Sequence, residues 1–309
     1  AILRAHGDAR RAMMATIYGG LVNAILDPIL IFGFDLELTG AALASVAARL
    51  VIAGTAMLPI IQHYGGIGRP NGMAMLRDLP PIAAIAVPAI LTQLATPVGL
   101  AFVTRSMAQF GQEAIAGMAI VARLNPVAFG VIFALSGAVG PILGQNYGAG
   151  DTDRVRRGFN AAILFTALVI AGVSTILFIL RAPIAGLFEA TGITRDLVYL
   201  FCGPLALAFF FNGVLFVCNA AFNNLGHPFY STFTNWARNT VFLIPLVMLG
   251  AGWLDAPGVL IGQSAAGVVM GIVAWIMAHR LIGSGAPGAG KPSEFARQGR
   301  LMALLDWRR

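Results

Sequence analysis

Residues 13–34 read MMATIYGGLVNAILDPILIFGF, and Asp27 is their only charged residue. A membrane-spanning helix needs about 20 mainly apolar residues, so this stretch is long enough to cross a bilayer. Its two strongly polar side chains, Asn23 and Asp27, are four residues apart and therefore share one face of a helix. The stretch predicts a transmembrane helix that carries an acidic group inside the membrane.

The composition of the whole chain favours a membrane protein. Of its 309 residues 58% are hydrophobic and 11% are charged, against roughly 25% charged residues in an ordinary soluble domain; the mean hydropathy is +0.81. So little polar surface cannot cover a soluble globule, which argues against a water-soluble enzyme. The net charge of +7 comes from scattered arginines, a pattern that is typical of loops facing anionic lipid and not of a nucleic-acid interface.

Further apolar stretches of transmembrane length follow the first one. They are residues 38–62, 81–104, 115–146, 158–180, 197–222, 230–253 and 257–279. The predicted fold class is therefore all-α, a polytopic membrane helix bundle of about eight transmembrane helices, and the lipid bilayer is its first partner.

Basic residues in the loops predict the orientation of the bundle. Most arginines fall in alternate loops that share a side with the N-terminus: Arg4, Arg10, Arg11, Arg69, Arg77, Arg154, Arg156, Arg157, Arg280 and those of the tail. Because cytoplasmic loops carry the excess of Lys and Arg, both termini are predicted to be cytoplasmic, in a multi-pass protein of the inner (plasma) membrane.

Asp27 is the predicted centre of ion coupling. A charged side chain at the middle of a bilayer costs at least about 2.5–3.5 kcal/mol, so an acid in that position is a functional candidate. Asn23 shares its helix face, and Ser45 lies in the next predicted span. Carboxylate, amide and hydroxyl oxygens suit a small hard cation or a carboxyl that gains and loses a proton. An ion pair between Asp27 and Arg49, which would only lock two helices together, remains the alternative.

Other polar residues in the predicted spans point to a substrate cavity. Gln93 lies between Pro88 and Pro97, and with Thr96 and Asn212 it is predicted to line that cavity. Most of the remaining polar residues are predicted to hydrogen-bond between helices; they include Thr92, Arg123, Asn125, Gln145, Asn146, Asn219, Asn235, Arg238, Asn239 and Gln263. No catalytic or metal-binding motif is present in the sequence, so neither an enzyme nor a bound cofactor is expected.

Several motifs resemble one transporter family. Asn23–Gly33 followed by Gly40–Ser45 resembles the fifth and sixth helices of the multidrug and toxic compound extrusion (MATE) transporters. Ile115–Arg123 and Gly144–Gly150 resemble the eighth helix of that family and the loop after it. Residues 219–245 are similar to its tenth and eleventh helices, so that the resemblance covers nearly everything from residue 7 to residue 282.

The resemblance implies a fold of two six-helix lobes and a monomeric antiporter. Such proteins export small organic compounds, often cationic and amphipathic, in exchange for H⁺ or Na⁺. The positions matched by Asn23, Asp27 and Ser45 take part in coupling, although threonine is usual where Ser45 stands. Which compound and which ion this protein uses is left open by the sequence.

The resemblance also predicts the domain organisation. Eight spans where the family has twelve imply four more helices before residue 1, one of them with a further acid, and we expect the 309 residues alone not to complete alternating access. The segments are a two-helix remnant of the N-terminal lobe, an inter-lobe cytoplasmic linker, a six-helix C-terminal lobe and a flexible cytoplasmic tail, at residues 1–62, 63–79, 80–282 and 283–309.

Two alternatives to an exporter remain at this point. A flippase of lipid-linked saccharide precursors shares the two-lobe plan, but it would be expected to carry more cationic side chains facing pyrophosphate than Arg49, Arg123 and Arg238. A membrane fragment that transports nothing is the second alternative.

Overall fold

The structure is a computed structural model that describes Leu3, residues 8–63 and residues 72–283. The predicted tail, from residue 284 onwards, and residues 64–71 of the predicted linker lie outside the described residues. The described part is helical and contains no strand. Nine α-helices, labelled α1 to α9 along that part of the chain, are Ala9–Pro28, Glu37–His63, Gly72–Ala108, Gln112–Gly148, Thr152–Leu187, Gly192–Leu200, Ala206–Asn224, Pro228–Trp236 and Leu243–Gly283.

Three short π-helical segments interrupt this pattern. They are π1 (Ile29–Gly33), which follows α1, π2 (Phe201–Leu205), which joins α6 to α7, and π3 (Ala237–Phe242), which joins α8 to α9. Each lies near a proline, namely Pro28, Pro204 and Pro245 respectively. Proline removes one backbone hydrogen bond and its ring pushes against the carbonyl one turn earlier, which favours a locally widened helix.

Six helical segments of the described chain are long and apolar enough to cross a membrane. They are Arg10–Gly33, Glu37–His63, Gln112–Gly148, Thr152–Leu187, Gly192–Asn224 and Pro228–Gly283. The last contains two of the predicted spans, and the predicted span 81–104 lies within α3. The prediction of an all-α polytopic membrane helix bundle is therefore confirmed. Helix α3 begins at Gly72, inside the predicted linker, so the second half of that segment is helical.

Helix α9 is folded back on itself. At Leu254 and Asp255 the backbone leaves the helical region, with Asp255 at φ 53° and ψ −138°. Gly250 and Gly258 then face each other so closely that a Cβ on either would collide with the backbone of the other. The two arms, 243–253 and 256–283, form an antiparallel hairpin, as the two predicted spans require.

The chain divides into two compact units, Ala1–Pro80 and Pro81–Arg309. In the N-terminal unit α1 and α2 pack as an antiparallel pair through small residues. Gly19 contacts Ile52 near one end of the pair, and Gly40 contacts the backbone of Leu30 near the other. Small residues allow such close backbone approach, which stabilises helix pairs in membranes.

The C-terminal unit is built around α7, which packs against α4, α5 and α9. Its core includes Phe129, whose ring stacks on Phe209 with ring centroids 4.0 Å apart. Cys202 and Cys218 are free and buried in this unit, where they pack as small apolar residues.

The hairpin in α9 makes a prediction about stability. Because the Cβ of alanine at position 258 would meet the backbone of Gly250, Gly258→Ala should lower the free energy of unfolding by about 1–3 kcal/mol, the usual cost of overpacking. Thermal unfolding in detergent measures this. The control is Gly172→Ala, since nothing lies within 4 Å of a Cβ at Gly172; equal stability of the two variants would contradict the close packing.

Candidate functional site

Asp27 and Asn23 form a polar pair in α1. The Nδ2 of Asn23 donates a hydrogen bond of 3.4 Å to Oδ1 of Asp27, and both side chains are half-buried. This distance is longer than the usual 2.9–3.0 Å of an N–H···O bond, so the interaction is weak. Within the described residues Asp27 takes part in no other side-chain hydrogen bond or ion pair. Most of the hydrogen-bonding capacity of the carboxylate therefore stays available to an ion.

The backbone beside Asp27 adds free oxygen atoms. Pro28 has no N–H, so the carbonyl of Ala24 lacks its helical partner. Immediately afterwards π1 begins, where the N–H of Phe34 donates to the carbonyl of Ile29 at 3.0 Å. Segments of π-helix often occur at functional sites because they shift backbone groups out of the regular ladder. Asn23, Asp27 and the Ala24 carbonyl thus offer oxygen ligands on neighbouring turns.

Ser45 and Arg49 lie on α2, the helix that packs antiparallel to α1. The contacts of Gly19 with Ile52 and of Gly40 with Leu30 place Ser45 between the heights of Asn23 and Asp27. Both Ser45 and Arg49 are exposed in the N-terminal unit, and neither bonds to Asp27. The structure thus brings Asn23 and Asp27 together, while the role of Ser45 remains a prediction. The alternative of an Asp27–Arg49 ion pair is not present in it.

A second polar site is a cavity of about 90 Å³ inside the C-terminal unit. We call it the α7 cavity; its lining residues are Val121, Asn125, Phe201, Leu205, Phe209, Asn212, Arg238, Leu260, Gln263 and Ser264. They come from α4, π2, α7, π3 and α9, so two of the three π-helical segments contribute side chains. One cation and four neutral polar side chains line this cavity, and none of its lining residues is acidic.

The polar side chains of the α7 cavity have no hydrogen-bonding partners among the residues that the structure describes. Asn212 is only 6% exposed, and its Oδ1 makes no hydrogen bond. Among the described residues the side chains of Asn125, Gln263 and Ser264 make no hydrogen bond, and that of Arg238 makes neither a hydrogen bond nor an ion pair. Buried polar groups are normally hydrogen-bonded, so a cavity lined by several free ones is suited to a polar ligand.

Gln93 and Thr96, the other two predicted cavity residues, lie elsewhere. Both are exposed on α3 and neither lines the α7 cavity. Asn212 is therefore the one predicted substrate residue that the structure places in this cavity. The roles of Gln93 and Thr96 remain predictions.

Sequence reasoning assigned Asn125, Arg238 and Gln263 to helix–helix hydrogen bonding, and the structure shows no such bonds for them in its described part. Others of that group do connect helices. The Thr92 and Thr232 hydroxyls are 2.9 Å apart. The Thr234 hydroxyl lies 3.2 Å from Oδ1 of Asn219 and also within hydrogen-bonding distance of the Tyr230 and Ser231 carbonyls of its own helix. In the sequence, the features that could have indicated this cavity are Pro204 and Pro245, the prolines within π2 and just after π3.

A larger cavity of about 520 Å³ lies at the C-terminal end of α3, beside the first arm of α9. Its charged and amide side chains, those of Arg105 and Gln109, are both exposed, and only its hydroxyl residue Ser106 is buried. Exposed polar groups stay hydrated and bind ligands less strongly than buried ones. The α7 cavity is for this reason the better candidate for specific recognition.

Comparison with known proteins identifies the family. The family model MatE matches residues 88–249, which is more than half of the chain. The chain belongs to the MATE family. Residues 88–249 include every helix that lines the α7 cavity apart from the second arm of α9.

Relatives and a solved structure support this assignment. A FAD transporter of Shewanella oneidensis is 29% identical over 289 residues, covering 90% of this chain and 63% of that protein. The multidrug export protein MepA of Staphylococcus aureus is 24% identical over 288 residues, covering 90% and 62%. The D35N mutant of the Vibrio cholerae MATE transporter VcmN has a TM-score of 0.82 at 25% identity, covering 92% of this chain and 65% of that one. The chain thus spans less than two thirds of the length of these MATE proteins.

The free oxygen of Asn212 leads to a stability prediction. Because Oδ1 of Asn212 accepts no hydrogen bond among the described residues, the isosteric Asn212→Leu should leave the free energy of unfolding unchanged or raise it, since no bond is lost and an unpaired buried oxygen is removed. The matched control is Thr234→Val, which removes a buried hydroxyl that has acceptors in Asn219, Tyr230 and Ser231 and should cost about 1 kcal/mol. Chemical unfolding in mixed micelles measures both. A larger loss for Asn212→Leu than for Thr234→Val would show that Asn212 holds helices together.

Proposed function

We propose that the protein is a secondary active transporter that exports small organic compounds in exchange for H⁺ or Na⁺. Membership in the MATE family supports transport, and the relatives named a FAD transporter and a multidrug export protein support organic substrates. A flippase of lipid-linked precursors is the less favoured alternative, because the relatives compared above carry transporter and drug-export names.

The coupling ion binds at Asp27 in this proposal. The observation that carries it is the carboxylate of Asp27 in a helix of membrane length, with a single weak bond from Asn23. An isolated charge in hydrocarbon is costly, so the carboxylate gains free energy by taking up a proton or a sodium ion. Asn23 supplies a further oxygen ligand. Ser45 supplies another, because the pairing of α1 and α2 puts it near the level of Asp27.

Binding of the ion can drive transport only if it favours one conformation of the carrier over another. π1, directly after Asp27, is a place where the helix can change its hydrogen-bonding pattern at low cost. We propose that ion uptake at Asp27 changes this segment and thereby the packing of α1 on α2. The carrier acts as a monomer in the inner membrane. Both of its termini lie in the cytoplasm, an orientation that the distribution of arginines favours.

Replacing the carboxyl tests the proposal. Asp27→Asn keeps the shape of the side chain and removes its charge, so export by the gene product that contains this sequence should become independent of both Na⁺ and pH gradients. Efflux of a fluorescent organic substrate from proteoliposomes, with each gradient imposed in turn, is the measurement, and it also identifies the ion.

The control for this experiment is Asp153→Asn, which removes an exposed carboxylate in the first turn of α5. It should leave gradient-driven efflux at the wild-type rate. Efflux by the Asp27→Asn variant at the wild-type rate, with the same dependence on the gradient, would refute coupling at Asp27.

A further inference from the structure

We infer that the α7 cavity binds an anionic group, a carboxylate or a phosphate, of the transported compound. This inference rests on the proposed transport function, because it assigns a chemical class to the substrate. It departs from the expectation of a cationic substrate that the family resemblance implies. The reasons are the charge, the free hydrogen-bonding groups, the aromatic wall and the size of the cavity.

The charge of the lining favours an anion. Arg238 is half-buried within a membrane-length segment, and the described residues supply it with no carboxylate partner. Because an arginine in a membrane helix is costly, it normally faces a counter-ion or a water-filled cavity. No acidic side chain lines this cavity. A bound carboxylate or phosphate would supply the missing counter-ion, whereas a bound cation would add to the repulsion.

The neutral polar groups suit the rest of such a head group. A guanidinium pairs with the two oxygens of a carboxylate or phosphate through parallel N–H donors. The side-chain amides of Asn125 and Gln263 can donate to a third oxygen of a phosphate, or to the remaining lone pairs of a carboxylate. The buried, unpaired Oδ1 of Asn212 is an acceptor, which suits a hydroxyl or N–H next to the anionic group.

Aromatic rings form the apolar wall of the α7 cavity. Phe201 and Phe209 line it, and Phe129 stacks behind Phe209 at 4.0 Å and meets Phe201 edge to face at 6.2 Å. Rings held by one another in this way form a rigid surface that suits a flat or aliphatic part of a ligand. The ligand is therefore an amphipathic anion.

The size of the cavity limits what it can hold. Complete sites for small molecules usually measure about 300–1,000 Å³, whereas the α7 cavity measures about 90 Å³. This volume accommodates one carboxylate or phosphate and the atoms next to it. The cavity is thus a subsite for the anionic head of a larger compound.

Binding of three matched small probes to the 309-residue chain tests the inference. Phenyl phosphate, benzoate and benzylammonium share one ring and differ in charge. Calorimetric titration of the protein in neutral detergent should show binding of at least one of the two anions, and benzylammonium should bind at least ten-fold more weakly. Equal binding of the cation and the anions, or binding of the cation alone, would overturn the inference.

Variants then locate the binding site. Arg238→Gln should weaken anion binding at least ten-fold, because it removes a charge-assisted pair, and Arg238→Lys should weaken it less, because the charge remains. The control is Arg123→Gln, an exposed arginine of α4 that does not line the cavity; it should bind as the wild type does. Wild-type affinity in folded Arg238→Gln would overturn the inference. If Arg238→Gln does not fold, Gln263→Leu, which removes an amide donor from the cavity lining, should still bind phenyl phosphate several-fold more weakly than the wild type, and unchanged affinity would count against the site.

A lipid phosphate is the other source of such a group. Nanodiscs with and without phosphatidylglycerol distinguish it: stabilisation by this lipid that depends on Arg238, with no response to phenyl phosphate, would support an anion site but overturn its assignment to the transported compound. Asp27→Asn should leave binding of phenyl phosphate unchanged. If the wild-type protein performs ion-driven efflux but binds neither a small anion nor an anionic lipid, only the inference about the α7 cavity is refuted. If it binds an anion but shows no ion-driven efflux, only the proposed coupling is refuted.

Discussion

The weak bond from Asn23 to Asp27 is the interaction on which the coupling proposal depends. At 3.4 Å it orients the carboxylate without neutralising it. A carboxylate that was fully paired inside the protein would gain little free energy by binding an external ion. A carboxylate in bulk water would also gain little, because water already stabilises its charge. Partial satisfaction in a helix of membrane length places Asp27 between these limits. In the proposed mechanism, this intermediate position is what suits Asp27 to bind the coupling ion.

Backbone geometry supports both candidate sites in a similar way. Each site lies at π-helical turns with a proline nearby; these turns are Ile29–Gly33, Phe201–Leu205 and Ala237–Phe242. The first follows Asp27, and the other two carry Phe201 and Arg238. Irregular backbone is tolerated in membranes where it lines a cavity or is covered by protein. The two units differ in charge at these places, with an acid in the N-terminal unit and a base in the C-terminal one.

The sequence predicts the helices well because apolar length alone defines a membrane span. The turn at Leu254 and Asp255 falls in the gap between two predicted spans, and the pair Asn23 and Asp27 follows from helical spacing. The lining of the α7 cavity was not predictable in the same way. Asn125, Asn212 and Gln263 lie on three different helices, and only tertiary packing decides which polar side chains meet a partner and which face a void.

The protonation state of Asp27 is the quantity that tests the central claim most directly. Difference infrared spectroscopy of wild type minus Asp27→Asn, recorded across pH with and without Na⁺, reports the bands of this one carboxyl. We predict that the protonated and ionised bands exchange with pH, and that Na⁺ favours the ionised form if Na⁺ is the coupling ion. A carboxyl that stays ionised from acidic to alkaline pH and ignores Na⁺ would contradict ion binding at Asp27.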